Sequence, residues 1–235
     1  VPDINDFTKA LKIILKPRGV VTLEFPHILK LIEENQFDTV YHEHFSYLSL
    51  YTVSKIFKQT GLKIWDVEHL GTHGGSLRIY GCHIDDPRDT ETSVEKSLTE
   101  EHTYGLQQLA TYQGFQSCAD RIKTDLLNFL IEQKCSGKAV AAYGAAAKGN
   151  TLLNYAGIKP GLLPYVCDAA PSKQGKYLPG SHIPILSPET LRERQAGFVL
   201  ILPWNIVDEV VAQHAYVREW GGKFVTAIPQ IRVIN

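Results

Sequence analysis

Residues 41–47, Tyr-His-Glu-His-Phe-Ser-Tyr, concentrate side chains that can move protons. A neutral imidazole suits a general base near neutral pH, and a neighbouring carboxylate can fix its tautomer or stabilise its protonated form. A phenol can donate a hydrogen bond to a developing enolate oxygen. We therefore predict that this segment is the proton-handling site of an enzyme.

The geometry of this segment depends on its backbone conformation. In an extended chain His42 and His44 share one face, whereas in a helix Tyr41, His44 and Tyr47 line up. Adjacent Glu43 and His44 can act together only across a turn or a substrate. Two other interpretations stay open: surface histidines beside buried aromatic rings, or a metal-ligand pair at His42 and His44. Because no third or fourth ligand has a suitable spacing, we predict no metal site.

Two rigid elements flank the segment. Residues 20–25 form a β-branched run closed by Pro26, apolar on both faces apart from Thr22 and Glu24, which predicts a buried parallel strand. Residues 51–60 predict a helix that stops at Gly61. Glu24 then lies at the carboxyl edge of a sheet, where open α/β sheets bind ligands, although a solvated carboxylate at a strand end is equally compatible.

Residues 62–70 and 76–82 predict two strands of an antiparallel hairpin, which residues 71–75 connect. This connection contains His73 within a glycine-rich sequence. Composition alone favours a turn over a binding site at this position.

A second candidate site, residues 143–151, follows a predicted strand and opens a helix. It imitates a dinucleotide-binding loop, but Ala146 replaces the middle glycine that normally admits the pyrophosphate. Lys148 and the helix N-terminus could still bind a phosphate. Asp168 ends the next predicted strand, roughly where a ribose-binding acid stands. A tight turn without a ligand is the alternative.

Composition restricts the class of protein. The chain has 235 residues, 44% of them hydrophobic, and a formal net charge of −1, which predicts two small cores and gives no sign of a nucleic-acid partner. No apolar run or signal peptide indicates a membrane or export. The four cysteines are scattered, which argues against a zinc site and fits free thiols in the cytoplasm. The chain starts with Val1 at the edge of a helical pattern, so we expect a longer polypeptide.

We divide the chain into three parts. Residues 1–89 hold the catalytic segment and the hairpin, and residues 90–137 predict a helical linker with possible breaks at Gly105 and Gly114. Residues 138–235 alternate strands with helices, which predicts a Rossmann-like parallel α/β domain.

Five motifs together carry a family resemblance: residues 24–26, 41–47, 73–78, 143–151 and 179–184. In this order they resemble the S-adenosylmethionine-dependent C-methyltransferases that act on nucleotide-linked deoxyketosugars. The resemblance implies an α/β fold in which the last part of a class I methyltransferase sheet ends in an antiparallel hairpin and precedes a second Rossmann-like domain. The zinc module of that family and its glycine-rich cofactor loop have no counterpart in the sequence, so residues that bind the cofactor stay unassigned.

The resemblance also implies a mechanism. His44 removes a proton beside the sugar ketone, Glu43 and Tyr41 contact the substrate or orient the base, and the enolate attacks the methyl sulfonium. Lys148 and Asn150 are our candidates for the nucleotide diphosphate of the substrate. We further expect four residues at the substrate: His73, Glu24, Tyr47 and Asp168.

Two other functions remain as alternatives to the methyltransferase. A nicotinamide-dependent oxidoreductase would use the loop at Gly144, although Ala146 speaks against it. A non-catalytic module that binds a nucleotide sugar is the other. For the methyltransferase, the expected partners are a nucleotide-diphosphate sugar and the missing N-terminal part of the polypeptide.

Overall fold

The computed structural model describes residues 1–234. The chain divides into two compact units, each built from two stretches of sequence. The first unit holds residues 1–33 and 42–115, and the second unit holds residues 34–41 and everything from residue 116 onward. The segment 34–41 therefore belongs to the second unit, although both its sequence neighbours belong to the first.

The first unit combines three strands with short helices. Its strands are β1 (Val21–Pro26), β2 (Leu62–Leu70) and β3 (Ser76–His83). Its helices are α1 (Ile4–Ile14), α2 (Ile28–Glu33), α3 (Leu50–Thr60), α4 (Thr92–Tyr104) and α5 (Ala110–Gln113).

β3 lies between β1 and β2 and is antiparallel to both. The predicted hairpin is confirmed, but the prediction that β1 is a parallel strand buried on both faces is wrong for the described residues. Exposure alternates along β1, and Glu24 stands opposite Arg78 of β3. The alternation of Thr22 and Glu24 with apolar residues was therefore the signal of a half-exposed antiparallel strand.

The predicted position of helix α3 is confirmed, because local sequence signals define both of its ends. The Ser49 side chain accepts a hydrogen bond from the Thr52 N–H at 3.0 Å, and Gly61 adopts a left-handed conformation with φ of 78°. Both are standard helix caps. α3 packs its buried face, including Val53 and Phe57, on the sheet.

The predicted helical region 90–137 contains the two predicted breaks. α4 ends at Gly105, which is left-handed with φ of 90°, and Gly114 separates α5 from α6 (Phe115–Cys135). None of the helices among residues 1–234 is both apolar enough and long enough to cross a membrane.

The second unit is a six-stranded sheet with helices. Its strands are β4 (Val140–Tyr143), β5 (Val166–Cys167), β6 (Ile185–Leu186), β7 (Phe198–Ile201), β8 (Lys223–Thr226) and β9 (Arg232–Ile234). Its helices after α6 are α7 (Ala147–Tyr155), α8 (Glu189–Arg194) and α9 (Val207–Gln213).

The strand order is β6-β5-β4-β7-β8-β9. All neighbours pair in parallel except β9, which is antiparallel to β8. The predicted parallel α/β fold is confirmed. The order reverses direction between β4 and β7, and in open α/β sheets this switch point is where ligands bind, beyond the carboxyl ends of the strands.

The sequence pattern of residues 205–220 predicts one continuous helix, and this prediction is wrong. Trp204–Ile206 and Ala215–Trp220 form tight 3-10 helices on either side of α9. The chain leaves the helical conformation at His214, which is 3% exposed and packs its ring on Tyr143 at 4.3 Å between centroids. A tertiary contact therefore overrides the helical pattern at this point.

Candidate functional site

The first unit contains an open cavity of about 320 Å³ beside the carboxyl end of β1. Its polar lining includes Glu24, Glu43 and His44, and most of the remaining lining is apolar. Among these apolar residues are Phe25 of β1 and Phe57 of α3. The cavity thus offers an imidazole and two carboxylates at an otherwise apolar surface.

Residues 41–47 contain a turn at His42 and Glu43, so neither the extended nor the helical alternative describes this segment. Glu43 is exposed at the cavity, whereas His44 is half-buried. The His44 ring meets the Tyr47 ring edge-on, with 6.3 Å between centroids. A turn that places adjacent side chains at one cavity supplies the geometry that joint action of Glu43 and His44 requires.

The neighbouring hairpin holds the Glu24 carboxylate at the rim of this cavity. Thr72 Oγ1 donates to it at 2.7 Å and Arg78 Nη2 at 2.9 Å. These two hydrogen bonds, that from Thr72 first, lower the pKa of Glu24 below its usual value. Nearby His73, left-handed with φ of 58°, also favours the charged form. Glu24 is therefore a fixed negative charge in the first unit.

The other predicted site residues belong to the second unit: Tyr41, Lys148, Asn150 and Asp168. Lys148 occupies the first turn of α7. Its ammonium group donates to Asn205 Oδ1 at 3.0 Å and lies 4.4 Å from the centre of the Trp204 ring. Burial lowers the pKa of Lys148, and Asp38 partly opposes that effect. The Oδ1 atom of Asn150 is buried without a hydrogen-bond partner.

Asp168 directly follows β5, and its carboxylate binds the loop after β4. Its Oδ2 accepts the Ala145 N–H at 2.7 Å and Lys173 Nζ at 3.1 Å, and its Oδ1 accepts the Ala170 N–H at 2.8 Å. Although burial acts to raise the pKa of Asp168, these hydrogen bonds bring it below its usual value. Asp168 therefore already uses both carboxylate oxygens to fold the loop.

Sequence reasoning missed Asp38, which lies in a short 3-10 helix, Phe37–Thr39, of the second unit. This side chain is 0% exposed. Its Oδ2 accepts the Trp204 Nε1–H at 2.8 Å, while Oδ1 is buried without a partner. Burial raises the pKa of Asp38 to about 6. A single aspartate in a polar stretch carries no sequence signal of such burial.

Sequence comparison with known proteins identifies the family of this chain. The sequence profile of the C-methyltransferase C-terminal domain matches residues 71–229. The chain belongs to the C-methyltransferase family. One relative, the C-methyltransferase NovU of Streptomyces niveus, is 34% identical over 235 residues, all of this chain. The match covers 56% of NovU, so the chain spans little more than half the length of that relative.

Membership of a C-methyltransferase family implies a methyl donor, and S-adenosylmethionine at the loop after β4 would need access to the loop backbone. The Ala145 N–H, which a ligand would need, is already bound to Asp168. At Gly144 a Cβ would collide with the Pro203 ring, so that ring already occupies the approach to the loop backbone. This loop does not fit the cofactor. Residues 1–234 also hold no group of three or more metal-ligating side chains placed to bind an ion.

Proposed function

We propose that this chain supplies the proton-abstracting residues of an S-adenosylmethionine-dependent C-methyltransferase that acts on a nucleotide-linked deoxyketosugar. The observation that carries the proposal is the cavity of the first unit, where His44 and Glu43 stand together at the end of β1. Membership of the C-methyltransferase family supports the reaction class. The sugar substrate rests on the resemblance of the five sequence motifs. We expect the reaction to take place in the cytoplasm.

In this proposal His44 is the general base. A neutral imidazole nitrogen takes the proton from the carbon beside the ketone, and the C–H electron pair becomes the enolate double bond as charge moves to oxygen. Glu43 stabilises the imidazolium that forms, because opposite charges attract more strongly beside an apolar surface than in water. Tyr47 packs against the His44 ring and limits its orientations.

The fixed negative charge of Glu24 suits a role in orienting the substrate. Its pKa is lowered, and its position is fixed by Thr72 and Arg78. A fixed carboxylate accepts hydrogen bonds from sugar hydroxyl groups, and His73 can add a donor from the same hairpin. These two residues, with Tyr47, are the proposed sugar contacts of the first unit.

Lys148 and Asn150 are the proposed phosphate contacts of the second unit. The positive end of the α7 dipole and a cation in the first turn of this helix favour a negatively charged ligand. Trp204 and Asn205 hold Lys148 in place, so little side-chain entropy remains to be lost on binding. Tyr41 and Asp168 keep their proposed roles in substrate binding, with Asp168 acting through the loop that it folds.

The oxidoreductase alternative is not favoured, because the loop that would hold the pyrophosphate is already in contact with other parts of the protein. Asp168 occupies the Ala145 N–H, and Pro203 packs on Gly144.

Ligand titration of the complete gene product separates the candidate functions. We expect saturable binding of S-adenosylhomocysteine and of a deoxythymidine diphosphate, and mass spectrometry should find one added methyl group on a ketosugar nucleotide. Low-micromolar binding of NAD would contradict the proposal. Nucleotide binding without any methylated product would favour the non-catalytic module.

A further inference from the structure

Helix α4 carries a carboxylate in an unusual place. Glu101 stands in the last turn of α4, where the helix dipole disfavours a negative charge, and it is only 1% exposed. A buried carboxylate costs several kcal/mol unless hydrogen bonds compensate it. Neither helix formation nor solvation explains why a glutamate is buried at this position. The explanation must therefore lie in the contacts that Glu101 makes with other elements.

Those contacts lead to the start of α3, directly after the catalytic segment. Glu101 Oε1 accepts the Leu50 N–H at 2.5 Å, and Oε2 accepts the Tyr51 N–H at 2.9 Å. Ser49 binds the Thr52 N–H. Together Ser49 and Glu101 therefore satisfy the amides that open α3, and the negative charge lies at the favourable end of the helix dipole.

The third partner of the carboxylate is His27, which is also 1% exposed. Its Nε2 lies 2.8 Å from Glu101 Oε1. Since both oxygens of Glu101 already accept backbone N–H groups, we assign His27 Nε2 as the donor in this contact, and His27 Nδ1 is buried without a partner. The pair thus joins the residue after β1 to the end of α4.

The backbone around His27 is hydrogen-bonded to two other segments, the hairpin connection and the residues that follow His44. The His27 N–H donates to the Gly75 carbonyl in the hairpin connection at 3.0 Å. The Ile28 N–H donates to the Leu48 carbonyl at 3.1 Å, and His27 and Leu48 form a parallel bridge. Leu48 lines the same cavity as His44. The pair therefore lies where the end of β1, the hairpin connection and the downstream end of the catalytic segment meet.

We propose that His27 and Glu101 are positioning residues that fix residues 48–51 and thereby hold His44 at the cavity. This inference rests on the proposed role of His44. Neither side chain lines the cavity, so their effect on the reaction is exerted through the backbone. A reacting group displaced by about 1 Å can lose about a hundredfold in rate.

The near-isosteric Glu101→Gln variant provides the first test, and it needs no activity. The amide of glutamine brings an N–H against a backbone N–H and leaves one donor at the start of α3 without an acceptor. We expect hydrogen exchange of the Leu50 or Tyr51 amide, followed by NMR, to accelerate about tenfold or more. The exposed neighbour Glu100→Gln is the control and should leave these amides unchanged. Equal exchange in both variants, or a uniform acceleration across the β2–β3 hairpin, would overturn the proposal.

The second test uses the complete gene product and compares His27→Gln with His27→Leu. Glutamine retains a donor near the position of Nε2, whereas leucine has none. We expect kcat to fall about ten- to a hundredfold in His27→Leu with KM changed less than about threefold, and to recover largely in His27→Gln. If His27→Leu does not fold, Glu101→Gln carries the same kinetic comparison against Glu100→Gln. The positioning role would be refuted if His27→Leu and His27→Gln had equal kcat, or Glu101→Gln and Glu100→Gln in the substitute comparison. A rise in KM alone would refute it as well.

The role of His44 is measured separately, so the two failures are distinguishable. If His44→Asn retains full activity, the proposed function of the catalytic segment fails, whatever the exchange data show. If His44→Asn is inactive and the His27 and Glu101 variants retain wild-type kcat, only the positioning role fails.

Discussion

Replacement of Asp38 by asparagine should change how the stability of the second unit depends on pH. Burial raises the pKa of this carboxyl to about 6 from an ordinary value of 3.8. The folded protein therefore keeps the proton up to about pH 6, whereas the unfolded chain releases it near pH 3.8. Because the folded state binds more protons within this window, the free energy of unfolding must fall as pH rises through it and level off above it.

The magnitude follows from the two pKa values. Between about pH 4 and about pH 7.5 the ionisation of Asp38 should cost the folded state about 2–3 kcal/mol. Asparagine keeps an oxygen that can accept the Trp204 N–H, the bond that Asp38 makes at 2.8 Å, but it cannot ionise. The difference in unfolding free energy between variant and wild type should therefore grow by about 2–3 kcal/mol over this pH range in favour of the variant.

Urea unfolding followed by tryptophan fluorescence at several pH values measures this difference, and a carbon-13 titration of the labelled Asp38 carboxyl measures its pKa directly. Asp208→Asn, at an exposed site of α9, is the control for loss of a surface carboxylate. A pH dependence of Asp38→Asn parallel to that of the wild type would refute the reasoning. So would titration of the Asp38 carboxyl at its ordinary value.

Two further changes in the second unit have definite expected outcomes. Lys148→Ala in the complete gene product should raise KM for the nucleotide substrate about tenfold with a smaller effect on kcat, because the proposed bond to phosphate would be equally strong before and during the reaction. Steady-state kinetics measure both constants, and an unchanged KM would remove Lys148 from the proposed site. Gly144→Ala should lower the free energy of unfolding by about 1–3 kcal/mol, since Gly144 has φ of 94° and its Cβ would collide with Pro203. Gly157→Ala, with φ of 68° and open space, should cost less in the same urea unfolding, and equal losses would contradict the packing argument.

The parts of the fold that the sequence predicts correctly depend on neighbours along the chain. Ser49 and Gly61 bound α3 because caps act within one helical turn. The glycine-rich connection 71–75 indicated the hairpin for the same reason. The alternation of polar and apolar residues in β1 indicates a half-exposed antiparallel strand. The identity of the neighbouring strand, β3, depends on contacts far along the chain.

The same division separates the candidate site into predictable and unpredictable residues. Chemistry concentrated within residues 41–47 is visible in the sequence, and four members of that segment line the cavity: Glu43, His44, Phe45 and Ser46. The burial of Asp38 and Glu101 depends on partners far along the chain, at Trp204 for the former and at His27 for the latter. Each looks like an ordinary surface acid until the partner is known.

The most direct test of the central claim follows one hydrogen atom. The complete gene product is incubated in deuterium oxide with the ketosugar nucleotide and without a methyl donor, and NMR follows loss of the proton beside the ketone. We predict exchange with the wild type, retained exchange with His42→Asn, and no enzyme-dependent exchange with His44→Asn. Undiminished exchange with His44→Asn would contradict the account and assign the base to another residue.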